Sequence, residues 1–315
     1  MGKSKLPPIG IEKEKEDEVR PQPSRPLVPV FLGHRAWAWL LLVLLGLAAT
    51  GQGQTSRSAV TYLERARARY LKGDLDGAIA DYGLAITFDP RYAEAYYNRG
   101  ITLLGHGNFD AAIADFTKAI ELNPRYVLAY DGRANAQLSK GEMQAALADF
   151  DTLLAIDCRY VSGYINRGSV RQLIGDLNGA VADLDKAIAI NPRLAQAYNN
   201  RGAVLMALSD MNAAITDLDK AIALNPRLTT AYNNRGIART EQGRLDAAIA
   251  DFNQALATDP GYALAYLNRG VALELKGRMA EAEKDYRRCL EINSGLKPIL
   301  EARRKEIAQK HRVSQ

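Results

Sequence analysis

The chain has 315 residues, 47% of them hydrophobic and 24% charged, with two cysteines and a formal net charge of +5. This balance fits a soluble globular protein and excludes a wholly disordered, collagenous or multi-span membrane chain. The net charge is +2 over residues 1–35, +1 over 36–58, −2 over 59–296 and +4 over 297–315, so the basic character belongs to the ends. A near-neutral centre does not supply the clustered Lys and Arg of a nucleic-acid groove, and no nucleic-acid partner is expected. Cys158, Cys289 and the three histidines form no CxxC or Cys/His cluster, so no metal site is expected either.

In chain order, residues 1–26 combine mixed charges with five prolines and few large apolar side chains. Such a segment cannot bury enough surface to offset its chain entropy, and it reads as a disordered tail. Residues 27–50 contain an uncharged apolar run, 36–50, with Trp37 and Trp39 at its start. A spanning helix needs about 20 apolar residues, whereas the core of a signal peptide needs about 7–15 followed by small residues. The long leader and the Trp pair favour a single-pass anchor, and the short core with Gly46-Leu47-Ala48 or Ala48-Ala49-Thr50 suits a cleaved signal. With Arg35 on the near side, the positive-inside rule places everything after residue 51 across the membrane, in the periplasm for a bacterium, or as a secreted or periplasmic soluble protein after cleavage. Residues 51–58 read as a flexible linker.

After residue 58 the chain repeats with a period of 34. Ala-Tyr-Tyr-Asn-Arg-Gly at 95–100 returns as Gly-Tyr-Ile-Asn-Arg-Gly at 163–168, Ala-Tyr-Asn-Asn-Arg-Gly at 197–202 and 231–236, and Ala-Tyr-Leu-Asn-Arg-Gly at 265–270. Seven units follow without insertion: 59–92, 93–126, 127–160, 161–194, 195–228, 229–262 and 263–296. Each holds two segments of helical period with a Gly between them, Ser209 being the exception. Pro90, Pro124, Pro192, Pro226 and Pro260 end units where a helix cannot readily continue, and Cys158 and Ser294 stand in the other two such places. Small residues recur at Gly100, Gly168, Gly202, Gly236 and Gly270, each opposite a large one such as Phe116, Leu184, Leu218, Phe252 or Tyr286.

Tyr96, Gly100, Ala112, Phe116, Ala119 and Pro124 carry a resemblance to the tetratricopeptide repeat (TPR) signature, and the resemblance extends over residues 59–296. It implies an all-α, right-handed solenoid of seven helix-turn-helix units, whose first helices line a concave groove and whose usual activity is binding. Residues 297–315, with Ile299, Leu300 and Ile307 among Lys and Arg, read as a capping helix and basic tail. One hydrophobic helix within 27–50 would precede the array. Cys158 and Cys289 then lie tens of ångströms apart, beyond disulfide reach, given helices that pack about 8–10 Å apart.

Two ladders run through the units. Arg occupies the seventh place in all seven (Arg65, Arg99, Arg133, Arg167, Arg201, Arg235, Arg269), where the common family pattern has Leu. Asp follows each Arg by sixteen residues, at Asp81, Asp115, Asp149, Asp183, Asp217, Asp251 and Asp285. Such matching suggests Arg–Asp pairs within or between units, read as a packing ladder rather than a charged ligand groove. The sixth place carries Asn98, Asn166, Asn200, Asn234 and Asn268, interrupted by Glu64 and Gly132. In peptide-binding family members an asparagine here resembles a hand on the ligand backbone, since an amide offers both donor and acceptor. An Asn that is merely frequent at this place is the competing reading.

No nucleophile–base pair, phosphate loop or HExxH is present, so no catalytic residues and no cofactor are expected. The expected function is a non-catalytic scaffold that binds a protein or extended peptide at or beyond a membrane. Self-assembly into a structural solenoid and service as an accessory subunit of an envelope enzyme complex are the alternatives.

Overall fold

A computed structural model describes residues 57–313. The expected tail at 1–26, the apolar segment at 27–50 and residues 51–56 of the expected linker lie outside the described residues. Every regular element described is helical. Residues 57–71 form α1, so helix begins two residues ahead of the first repeat frame. There follow α2 (Leu75–Phe88), α3 (Ala93–Gly105), α4 (Phe109–Leu122), α5 (Val127–Ser139), α6 (Met143–Ile156) and α7 (Val161–Leu173). Then come α8 (Leu177–Ile190), α9 (Ala195–Ala207), α10 (Met211–Leu224), α11 (Thr229–Glu241), α12 (Leu245–Thr258), α13 (Ala263–Leu275) and α14 (Met279–Ile292). A short 3₁₀ turn, Ser294–Leu296, leads into α15 (Lys297–Val313). None of these helices is long and apolar enough to cross a membrane.

Two local devices make the pattern repeat. The first helix of each unit ends in a left-handed residue: six glycines from Gly73 to Gly277, and Ser209 at φ 65°. In every unit that residue's N–H bonds back three residues and the next N–H bonds back five, as in Asp210 to Leu205 at 2.9 Å, which satisfies the last carbonyls of the helix. The second device is an Asx turn after each second helix. Asp89, Asn123, Asp157, Asn191, Asn225, Asp259 and Asn293 each accept, on a side-chain oxygen, the backbone N–H two residues on. This turn persists beside Cys158 and Ser294, which explains why proline is dispensable there.

Packing within a unit depends on the small residue of the first helix. A methyl group on Gly236 would lie 2.6 Å from the Phe252 ring, and one on Gly270 would lie 2.4 Å from Tyr286. Phe252 is fully buried, a burial that contributes about 2–3 kcal/mol, and its ring has nowhere to retreat. Neighbouring first helices, α3/α5, α7/α9, α9/α11 and α11/α13, touch directly, whereas neighbouring second helices are held further apart. The first helices therefore form the inner row of a curved stack.

The last helix continues that row. α15 begins 34 residues after α13, and it places Leu300 where earlier units have Tyr and Ile307 where α13 has Leu273, 6% and 5% exposed. Leu300 joins the cluster of Phe252, Leu267, Tyr286 and Cys289. Ile299, grouped with these two in the sequence, is instead half exposed. Cys289 is buried, Cys158 is exposed, and both thiols are free.

A left-handed conformation costs a residue with a side chain about 1–2 kcal/mol. Ser209→Gly should therefore raise the melting temperature, and Gly175→Ala should lower stability by about 1 kcal/mol. Thermal unfolding followed by circular dichroism checks both signs.

Candidate functional site

The inner row brings the fifth and sixth places of consecutive units together. Asn166 donates from Nδ2 to Asp131 at 3.3 Å, Asn234 to Asn199 at 3.1 Å and Asn268 to Asn233 at 2.9 Å. Each bond runs from the sixth place of one unit to the fifth place of the unit before. Where the fifth place is apolar the bond is missing. Asn200 would meet Ile165, and instead its oxygen accepts from Gln196 and Asn199. Asn98 would meet Leu63, and its Nδ2 is buried without a hydrogen-bond partner among the described residues. All five asparagines are half-buried. Three of them thus spend one donor on the stack and keep an oxygen and a second donor for other uses.

Tyrosines enter the same seam from the turns between units. Tyr126 caps α5 and lies 5.1 Å from the Tyr97 ring, and Tyr97 in turn packs against Phe116. Tyr160 caps α7 and sets its hydroxyl against Asp131. Burial pushes the Tyr126 and Tyr160 hydroxyls up to about 12. Burial also raises the Asp131 carboxyl above the ordinary range, opposed by hydrogen bonds from Asn166, Tyr160 and Asn135. At the end near α1 the seam opens into a cavity of about 250 Å³ lined by Arg67, Tyr70, Leu71, Tyr82, Asn98, Ile101 and Thr102. Arg67 is held there by Glu64 and Glu94.

Beside this groove stands the arginine ladder. In each unit the Arg Nε and Nη2 grip both oxygens of the Asp sixteen residues on, at 2.5–3.1 Å. The seven aspartates are only 1–6% exposed. Each guanidinium also lies 4.8–5.7 Å from the ring of the tyrosine three residues earlier, within cation–π range. The remaining nitrogen, Nη1, reaches back to the preceding unit. It donates to Thr117, Asp151, Asp185, Asp219 and Asn253 from Arg133, Arg167, Arg201, Arg235 and Arg269, at 2.5–3.1 Å.

Family models described as tetratricopeptide repeat or TPR repeat match residues 66–107, 93–126, 173–209, 193–261 and 231–296. The chain belongs to the tetratricopeptide repeat family. A comparison with curated proteins finds no match. Among solved structures, a TPR protein from Parabacteroides merdae is 20% identical, covers 78% of this chain and 99% of its own, and superposes with a TM-score of 0.67. PilW, titled a widely conserved type IV pilus biogenesis factor, gives 18% identity, coverage of 64% and 94%, and a TM-score of 0.59. PilF of Pseudomonas aeruginosa gives 19%, coverage of 69% and 97%, and 0.55. At these identities the likeness shows the fold.

In this TPR array the sequence revealed the Arg–Asp pairs but not the third arm of each arginine or its tyrosine. The third arm was detectable as a polar or acidic residue sixteen places before each arginine from Arg133 onward. The asparagine ladder was detectable as polar pairs 35 residues apart.

Removing Arg201 leaves Asp217 buried and uncompensated and frees Asp185. Arg201→Ala should cost about 3–5 kcal/mol of stability, and an unchanged denaturation curve would refute the assignment. Hydrogen bonding from Arg65 lowers the Asp81 carboxyl below its usual range. Its contribution is fully present above about pH 4 and is lost as pH falls through the lowered native value. The melting-temperature gap between wild type and Asp81→Asn should accordingly narrow on acidification.

Proposed function

We propose that the protein is a non-catalytic TPR scaffold that binds a protein segment in extended form along the inner groove. Asn98 carries this reading. Its Nδ2 is buried with no partner among the described residues, in a side chain on the wall of a cavity bounded by Arg67, Tyr70, Tyr82 and Ile101. An unsatisfied buried donor costs about 1–3 kcal/mol, and a peptide carbonyl entering the cavity would relieve that cost. The asparagines at 166, 234 and 268 continue the same line of amides with spare acceptor and donor capacity, and Asn200 adds its donors. Apolar side chains between them, such as Ile101 and Ile165, would take up the ligand's own apolar residues.

The site is placed at or beyond a membrane by the uncharged run at 36–50, read from sequence as an anchor or export signal. N-terminal sequencing of the mature protein with cell fractionation separates the two: a start near residue 49 marks a soluble exported protein, and an intact N-terminus in membranes marks an anchor.

Self-assembly by stacking meets an obstacle at the last unit. There α15 already continues the inner row beyond α13, with Arg303 at the seventh place bonded to Glu306 of its own helix. A second copy would therefore meet α15 rather than the open face of α14.

Because the Asn98 Nδ2 has no partner among the described residues, Asn98→Ala should not lower the melting temperature. It should weaken capture of the partner crosslinked through a photoreactive residue at Ile101. Capture from Ile101 that is undiminished by Asn98→Ala would refute the groove assignment.

A further inference from the structure

The fifth place is the variable element of the inner row: Leu63, Tyr97, Asp131, Ile165, Asn199, Asn233 and Leu267. One of the seven is charged. Asp131 also differs from the aspartates of the arginine ladder, each of which is gripped by a guanidinium. Its partners are all neutral: Asn166 Nδ2 at 3.3 Å, Asn135 Nδ2 at 3.3 Å and the Tyr160 hydroxyl. Asn135 is anchored in turn on the Asp131 backbone carbonyl at 2.9 Å. A half-buried carboxylate fixed by neutral donors and given no cation by the described residues is a cost the fold bears without a structural return.

The surroundings suit a positive charge. Burial, and after it the nearby Asp131 charge, raises the Tyr97 hydroxyl pKa, and Tyr126 packs on the Tyr97 ring. Tyr160 sets its hydroxyl against the same carboxyl. Aromatic faces are negative and attract ammonium and guanidinium groups, more strongly where water is displaced. Arg67, which lines the same groove, is already engaged by Glu64 and Glu94.

We propose that Asp131, with Tyr97, Tyr126 and Tyr160, forms the charge-reading subsite of the groove, and that the bound segment places a lysine or arginine side chain there. The assignment rests on the groove reading above and adds the chemistry of the partner to it. The neutral donors hold the carboxylate in place, the tyrosines screen it from water, and the incoming cation supplies the missing counter-charge. The asparagine ladder grips the ligand backbone irrespective of sequence, and Asp131 sets which residue may lie at the third unit.

The test uses the full chain. A random peptide library is selected on wild type and on Asp131→Asn, and both proteins are melted without ligand. Peptides from wild type should be enriched in lysine or arginine, and the enrichment should vanish on Asp131→Asn. A selected peptide should bind Asp131→Asn at least about tenfold more weakly, the scale of one desolvated charge contact. Its Lys→Gln version should lose no further affinity on the variant. Without ligand, Asp131→Asn should melt at or above the wild-type temperature, because the substitution removes an uncompensated charge. Equal basic content in both selections, or a variant that melts lower, overturns the assignment and leaves the groove reading intact. If neither protein selects any peptide, the groove reading falls, and this assignment falls with it.

Discussion

The structure depends on one guanidinium repeated seven times. Each grips a buried aspartate of its own unit and stacks over a tyrosine of its own helix, and from Arg133 onward each also reaches an acceptor on the unit before. An apolar pair at the same places would pack about as well, since a buried ion pair often stabilises no more than its hydrophobic replacement. What an apolar pair would lack is direction. Five donors in a rigid planar fork fit their acceptors in one arrangement, which fixes both the hairpin and its rotation against its neighbour. In the first, fourth and sixth units a second arginine, Arg69, Arg171 or Arg239, adds a contact to the same aspartate.

That scaffold leaves the inner row free to vary. The fourth, seventh and eighth places of the first helix are committed to tyrosine, arginine and a small residue. The fifth runs from leucine to aspartate without disturbing the stack. The sixth serves both roles, because an amide can donate to the neighbouring unit and still present an oxygen to the groove. Glycine at 132 interrupts the series where a side chain would strike Phe116, with a Cβ only 2.6 Å from the ring. Packing, rather than ligand chemistry, explains that gap.

Much of this was legible in the sequence because a period of 34 repeats each error-prone local reading seven times. The Arg–Asp pairs could be named from co-occurrence alone, and Ser209 stood out as the turn without glycine. The asparagines were harder. At a place associated with ligand contact they looked alike, yet the structure separates Asn166, Asn234 and Asn268, bonded to the preceding unit, from Asn98, which is not. The difference lies 35 residues away, in whether the fifth place holds a polar residue, and no local window contains both. Asp131 was hidden for the same reason. Its lack of a cation is a property of four elements meeting, not of its neighbours in the chain.

The acceptors for the backward-reaching nitrogen form a series along the array: Gly83 with no side chain to offer, then Thr117, then Asp151, Asp185 and Asp219, and finally Asn253. Ionic joints occupy the middle, and neutral or absent ones lie toward the two ends. Nη1 serves the joint while Nε and Nη2 serve the hairpin, so each arginine keeps the two tasks on separate atoms. A joint can therefore be altered through its acceptor alone, leaving the pair inside either unit untouched.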